Sequence, residues 1–524
     1  MRLITTAIDY TNGSPHIGHA YEKVLADVLT RYDRFAGRDV YFLTGVDQHG
    51  QKVQQSAEKE NVHPATYANR ITKGFLKLWE TLDVKYDGWA ATTDPRHATC
   101  VQAILQKLHD DGQLYKKSHQ GFYSVRQEQF LTDRDRNEQG EFGPEWGEVQ
   151  EVEEENWYFK LSDHVEWLRG FVESHPDFVF PEFRRQELLN ALEKSEKGGD
   201  LCISRPKSRL RWGIELPFDP EFVTYVWFDA LTNYISFAGY EAADNAELPK
   251  FESLWSSETV HIIGKDILVP PHGIYWPIML HAIGFSDEQM PKLLVHGWWN
   301  IRGEKMSKSL GNVVDPAELA ETFGPDGLRY YLVRDIATGA DADFSPERII
   351  TRFNSDLAND FGNLCNRTLN MVKRYRGGEL TADSGYDDEI CQALRSTGDS
   401  ARAGYAEAMD NNLPHLALEH VWKWIVQTNQ FAEQSAPWAL AKDEDKAAQL
   451  DAVLYHMAEV IAEVSLLIAP VMPAAAANLQ DQLRLTPEQR SIKLGDLGWG
   501  LLPSGHTTGK PKPLFPRLQL EKED

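Results

Sequence analysis

Cysteine is scarce. Four occur in 524 residues (Cys100, Cys202, Cys365 and Cys391), and no two form a C-x-x-C pair. This disfavours both a disulfide framework and a cysteine-rich zinc knuckle, and it fits a reducing compartment. Long hydrophobic runs are missing as well. The uncharged stretch 464–479 contains Pro470 and Pro473, so it reads as a buried helix and its exit, with no membrane span expected. The opening MRLITTAIDY reads as a strand and leaves no room for a secretory leader; a cytoplasmic protein is expected. Positive charge is outnumbered, because 54 Lys and Arg against 79 Asp and Glu give a net charge of −25. That argues against non-specific coating of nucleic acid but leaves room for a local basic strip. What remains, 42% hydrophobic and 25% charged residues, is the profile of a globular chain with two to four domains.

Residues 3–8 alternate branched apolar and small side chains, as a buried strand does. Thr11-Asn12-Gly13-Ser14-Pro15 then supplies a turn and a helix start, with Ser14 as the cap and Pro15 at the first position. Ile17, Tyr21, Val24, Leu25, Val28, Tyr32 and Phe35 follow at helical spacing, and Gly37 closes the helix. Residues 39–45 (DVYFLTG) predict a second buried strand. Strand, helix and strand in about forty residues predict a parallel β-α-β unit, the start of a doubly wound, Rossmann-like α/β sheet.

From residue 112 the texture changes. Aromatic and charged residues alternate through GFYSVRQEQF, and an acidic stretch covers 138–155. This predicts an inserted, partly β module with its acids at a solvated edge. Apolar strands resume after Cys202 at VTYVWFDA, ETVHIIGKD and KLLVHGWW. Beyond about residue 345 strand signals vanish, no glycine occurs from 405 to 494, and apolar residues recur at helical spacing. An all-α C-terminal domain is expected. The expected boundaries are 1–111 and 201–300 for the two halves of the α/β domain, 112–200 for the insert, 301–345 for a connecting region and 346–524 for the helical domain.

Two short motifs carry chemistry. His16-Ile17-Gly18-His19 opens the first helix; its imidazoles share a face, Gly18 admits a bulky ligand, and the free N–H groups of the helix start suit phosphate. Lys305-Met306-Ser307-Lys308-Ser309 lies between Gly303 and Gly311, where two lysines can swing onto a polyphosphate. Alone, the first also reads as a structural histidine pair and the second as a solvated loop. In this order, on two halves of one sheet, they resemble the HIGH and KMSKS signatures of class I aminoacyl-tRNA synthetases. TNGSPHIGHAYEKVLADVL, GVDQHG, YVWFDALTNY, HIIGKD, EKMSKSLGNVVDP and NQFAEQSAPW resemble the methionyl-tRNA synthetase family in particular.

The resemblance implies methionine–tRNA ligation: L-methionine is activated with ATP to methionyl-adenylate, then passed to the terminal adenosine of tRNA(Met) for initiation and elongation. It implies that His16, Gly18 and His19 hold ATP phosphates and that Lys305 and Lys308 bind the β- and γ-phosphates. Gly264 and Asp266 would sit at the ATP ribose, and Mg²⁺ would arrive with ATP, held largely by phosphate oxygens and water. The implied methionine site is Ile8, Tyr10, Asp47, Trp227, Ala230, Leu231, Tyr234, His272 and Trp276. There Asp47 meets the ammonium group, and Tyr10 or His272 donates to the thioether sulfur. The implied anticodon readers are Asn363, Arg367 and Trp438, with Lys373, Arg374 and Arg376 extending Arg367 into a basic strip. The bland alternative is that Trp438 caps a helix junction after Pro437 and Arg367 pairs with an acid.

Two departures stand out. The family pattern has five steps from the Asp266 position to the His272 position, and here there are six, with Pro270 and Pro271 between. The insert, where relatives carry Cys-x-x-Cys knuckles, reads Ser124-Val125-Arg126-Gln127-Glu128, so a zinc-free form is expected. The resemblance also implies a monomer with no membrane partner. Among alternatives, the roughly ninety-residue insert is small for the editing module of the isoleucine, valine and leucine enzymes. The cysteine enzyme needs a zinc-bound pocket, a non-catalytic paralogue would be expected to have lost His16, His19 or the lysines, and a nucleotidylyltransferase would have no use for the helical domain.

Overall fold

The computed structural model describes every residue except 125–128, 132–134, 138, 195–198, 242–247, 249, 257, 302, 306–313 and 519–524. The chain divides into two compact units. One comprises Met1–Pro15, Tyr41–Lys77 and Tyr86–Val295, and the other His16–Val40, Leu78–Lys85 and His296–Asp524.

The first unit is built on a seven-stranded sheet whose strands are β1 (Arg2–Thr6), β2 (Asp9–Tyr10), β3 (Val40–Asp47), β4 (Gly88–Ala91), β5 (Val179–Phe180), β6 (Val260–Gly264) and β7 (Lys292–His296). Their order is β2-β3-β1-β6-β7-β5, with β4 also on β3. The pairs β1–β6, β2–β3, β3–β4 and β5–β7 are parallel, as the doubly wound expectation requires. Parallel strands are covered on both faces and so read as continuous apolar runs; all five residues of β6 are buried. Leu3, Leu43, Ile263, Leu293 and Val295 from the strands pack with Phe228, Leu231 and Ile235 of the helix Val226–Ser236 in one core. The register sets Tyr10 opposite Asp47 at the carboxyl ends of β2 and β3, and β6 ends at Gly264. In open α/β sheets ligands bind outside those ends.

In the insert the strand Val149–Phe159 pairs antiparallel with Leu114–Ser124 along eleven residues, while Leu201–Cys202 meets its other side only at Tyr158 and Phe159, so among the described residues its acids lie along a strand edge as expected. Glu151, Glu153 and Glu155 are exposed there, since alternation along a strand turns every second side chain to solvent.

In the second unit α1 (Ile17–Phe35) begins two residues later than expected. His16, and not Ser14, is the N-cap: its side chain accepts from the Gly18 backbone, and the His19 side chain accepts from the His16 backbone. An imidazole Nδ1 fills the place a hydroxyl oxygen usually takes. Gly37, with φ 79°, ends the helix as predicted. α2 (Pro316–Arg334) is followed by an all-helical arrangement of α3 (Asn363–Arg376), α4 (Glu389–Asp410), α5 (Pro414–Ser435), α6 (Ala447–Leu467) and α7 (Pro473–Leu483). α6 is buried nearly all round, which marks it as the central helix of the bundle. The uncharged stretch 464–479 is its end, a turn and the start of α7. Among the described residues no helix is long and apolar enough to cross a membrane.

Candidate functional site

At the carboxyl ends of the strands of the first unit, the Asp47 carboxylate is buried. Its Oδ1 accepts from the His49 backbone at 3.3 Å and from Thr92 Oγ1 at 3.2 Å, so it is held in place. Tyr10 lies beside it in the register. Gly50 has φ 105°, and a Cβ there would come within 2.5 Å of the Tyr10 hydroxyl; only glycine lets that hydroxyl stand where it does.

Tyr234, His272, Trp276 and Trp227 form an aromatic cluster around the helix Val226–Ser236. His272 Nδ1 lies 2.9 Å from the Ile267 carbonyl and Nε2 lies 2.8 Å from the Tyr234 hydroxyl. A carbonyl can only accept, so Nδ1 carries the proton and Tyr234 donates to Nε2. In this arrangement the His272 ring proton is given to the Ile267 carbonyl. Trp276 Nε1 donates to His261 Nε2 at 3.0 Å, and the Trp227 ring stands edge-on to His272 at 6.3 Å. Ala230 and Leu231 are buried on the same helix, and Ile8 is half-buried against the core. The extra residue before His272 is absorbed in a widened turn over Leu268–Tyr275, in which Val269 leaves helical geometry. A turn closing i→i+5 takes one residue more than an α-turn, so the insertion and the placement of His272 are compatible. Gly264 is buried at the end of β6, and Asp266 is exposed in the turn after it.

Behind this cluster lies a network that sequence reasoning missed. Asp229 is buried between His49 Nδ1 at 2.7 Å and His97 Nε2 at 2.8 Å, and His97 Nδ1 meets Ser236 Oγ at 2.8 Å. Burial works to raise the Asp229 carboxyl, but the two histidines outweigh it and hold the group below its ordinary value. His261, buried near His272, is pushed well below the ordinary imidazole value and stays neutral. The signal for the network was one aspartate inside the apolar run VWFDALTNY, which a buried acid must explain by partners.

In the second unit, His16 and His19 stand with ring centroids 3.8 Å apart. Each Nδ1 accepts a backbone N–H, from Gly18 and from His16, at 3.1 Å. An accepting Nδ1 leaves the proton on Nε2, so both rings are neutral donors with fixed orientation. A Cβ at Gly18 would lie 2.9 Å from the His16 ring, which explains the glycine. One turn further, buried Glu22 pairs with Lys23 at 2.8 Å and with His296 at 3.1 Å. Desolvation opposes its ionisation, but these partners carry the carboxyl below its usual range. Lys305 lies in the short strand Glu304–Lys305, opposite Asn300; Lys308 lies outside the described residues.

α3 and α5 of the second unit enclose a hollow of about 300 Å³ whose lining includes Asn363, Arg367, Asn429 and Glu433. Arg367 pairs with Glu433 at 2.7 Å and lies 4.9 Å from the Trp438 ring centre. Trp438 is 38% exposed, unusual for so large a ring, and follows Ala436, held in a left-handed turn with φ 44°. The basic strip is smaller than expected. Lys373 and Arg374 are exposed, but Arg376 turns to Asp451 and the Ala447 carbonyl.

Residues 2–140 and 146–369 match the family described as tRNA synthetases class I (M), and 384–524 match the anticodon binding domain of methionyl tRNA ligase. A methionine–tRNA ligase of Fusobacterium nucleatum is 40% identical over 99% of this chain and 80% of its own length. One of Caldanaerobacter subterraneus is 41% identical over 99% and 79%. Among solved structures, Mycobacterium tuberculosis methionyl-tRNA synthetase bound by methionyl-adenylate superposes with a TM-score of 0.90 at 36% identity, covering 98% of this chain and 100% of that one. Its free-state structure gives 0.85 at 34%, covering 99% and 98%.

Proposed function

The chain belongs to the methionyl-tRNA synthetase family, with the methionine–tRNA ligase activity of a class I enzyme, and we propose how its residues divide that reaction. In the first step the methionine carboxylate attacks the α-phosphate of ATP, a P–O bond forms, and pyrophosphate leaves. The attacking carboxylate is already ionised, so the step needs orientation and charge neutralisation more than a base. Asp47 holds the ammonium group. The aromatic cluster of Trp227, Tyr234, His272 and Trp276, with Ile8, Ala230 and Leu231, takes the side chain. A hydroxyl donates to the sulfur: that of Tyr10, or that of Tyr234 after it exchanges its partner.

His16 and His19 present Nε2–H to the phosphate oxygens as charge moves through them, beside the backbone of Gly18. Lys305 and Lys308 bind the β- and γ-phosphates, and Gly264 and Asp266 meet the ribose. Mg²⁺ accompanies ATP on phosphate oxygens and water, which suits a hard cation that keeps its waters. In the second step a hydroxyl of the terminal adenosine of tRNA(Met) attacks the methionyl carbonyl and AMP leaves, while Asn363, Arg367 and Trp438 read the anticodon.

The observation that carries this reading is the double backbone lock on His16 and His19. It spends both Nδ1 atoms to aim two neutral donors, an arrangement in which phosphate charge is met without reorganisation. The experiment is amino-acid-dependent ATP–pyrophosphate exchange over all twenty amino acids. Methionine must drive it best, and a better rate with leucine or cysteine would overturn the assignment.

We also propose that no structural zinc is bound. Among the described residues one group, Asp387, Cys391 and His456, has ligand atoms close enough to share a metal. Arg395 already serves it: Nη1 donates to His456 Nε2 and Nη2 pairs with Asp387, both at 2.7 Å. Burial pushes the Cys391 thiol up to about 12, which adds to the cost of forming a thiolate there. Stoichiometric zinc in purified protein, with unfolding by chelator, would refute this.

A further inference from the structure

Arg329 lies in α2 with its side chain wholly buried, as is that of Asp27 in α1. A guanidinium out of water is tolerated only where its charge and its N–H groups are matched. Here Nη2 donates to Asp27 Oδ2 at 2.6 Å and to the Pro470 carbonyl at 2.9 Å. Nε donates to the Val471 carbonyl at 2.7 Å and Nη1 to the Leu82 carbonyl at 2.9 Å. Three segments far apart in sequence therefore meet on one side chain: α1, the segment Leu78–Lys85, and the turn between α6 and α7.

The node is saturated from the other side as well. Asp27 Oδ2 also accepts from Arg31 Nε at 2.7 Å, and Oδ1 from the Lys85 backbone at 2.9 Å. One turn earlier on α2, Asp326 accepts from the Ala475 backbone at 2.5 Å. The same stretch of α2 thus sets a cation on the carbonyls of the α6–α7 turn and an anion at the start of α7, the latter matching the dipole of α7. Buried ion pairs are poor glue compared with apolar packing of the same volume. What they fix is relative placement.

Both ends of this connection lead to functional groups. α6 packs against α3, α5 and the short helix Pro437–Leu440, the elements that carry Asn363, Arg367, Glu433 and Trp438. Asp27 lies about two turns from His19 along α1, and α1 is the helix whose first turn aims the two histidines. We propose that Arg329 is a positioning residue that couples anticodon recognition by the helical bundle to the His16–His19 end of α1. This rests on the anticodon-reading role given to the bundle above. Occupation of the anticodon surface biases α6; the α6–α7 turn moves with it; Arg329 transmits the shift to Asp27 and so to the aim of the phosphate donors.

The test compares wild type with Arg329→Lys. Lysine keeps the charge, but its one ammonium cannot span acceptors on three segments. Three rates are read: tRNA-free ATP–pyrophosphate exchange, charging of tRNA with a CAU anticodon, and charging of the same tRNA altered at the first anticodon base. We expect Arg329→Lys to lower kcat for the CAU tRNA about tenfold, within the usual range for coupled sites, with KM and pyrophosphate exchange little changed. The kcat ratio between the two tRNAs should shrink by the same factor. An unchanged ratio, or exchange falling as far as charging, overturns the coupling and leaves Arg329 a structural residue. Asp27→Asn, which keeps shape and one hydrogen bond, gives the same readout should the lysine variant fold poorly. Trp438→Ala separates the two readings. If it leaves discrimination intact while Arg329→Lys abolishes it, the assignment of the anticodon readers fails and the coupling stands.

Discussion

The proposed methionine cluster of the first unit and the proposed anticodon hollow of the second are built in opposite ways. In the first, Tyr234 and Trp276 are about 1% exposed and each polar atom named above has a fixed partner, down to the tautomer of His272. In the second, Trp438 is 38% exposed and Arg367 is held by a surface acid it can exchange. A small apolar side chain offers little binding energy, so its site must be built and dry beforehand. An RNA loop brings its own stacking faces and hydrogen-bonding edges, so its site must stay open and able to trade partners. Rigidity serves one ligand and availability the other.

The contrast can be broken from the rigid side first. His19→Ala removes one aimed donor and should lower single-turnover adenylation about 10²–10³-fold, as loss of one preorganised donor does elsewhere. Quenched-flow measurement with saturating methionine checks it, and a change under tenfold would mean that the lock serves the helix alone. Lys308→Ala should depress the same rate much more than it weakens methionine binding, because its charge matters where phosphate charge redistributes. Equal losses in rate and affinity would place the lysine elsewhere.

On the open side, Trp438→Ala should lower charging of tRNA about 5–150-fold, the equivalent of about 1–3 kcal/mol for one stacked base. Pyrophosphate exchange without tRNA should stay within twofold of wild type; parallel losses would make Trp438 a support of the fold. Tyr234→Phe tests rigidity by stability. It leaves the buried His272 nitrogen without a donor and should cost about 1–3 kcal/mol in urea unfolding, with a higher KM for methionine. The smallest effect belongs to Glu433→Gln. An exposed ion pair is worth about 0–1 kcal/mol, so freeing Arg367 should tighten tRNA binding by less than about fivefold. A tighter gain would show that Glu433 does more than hold the arginine.

Much of this was legible in sequence because it is local. The β-α-β opening and the helical C-terminal part each depend on residues within one element, where periodicity and spacing speak directly. The identity of the cap was not. Ser14 is the better cap by preference, and His16 takes its place because the imidazole Nδ1 makes the same hydrogen bond. Least legible were the buried ions. Arg329, inside LRYYLVR, reads as an ordinary charged position on a helix, and nothing in its neighbourhood points to an aspartate 302 residues earlier.

That separation has a consequence during synthesis. A ribosome adding about 5–20 residues per second makes Asp27 roughly 15–60 s before Arg329 exists, and the carbonyls of Pro470 and Val471 come later still. Throughout that interval the helix bearing His16 and His19 lacks the cation that anchors it in the finished protein. The motif that appears first on the nascent chain can be capped locally at once, but its helix gains its link to the bundle only when the chain is nearly finished.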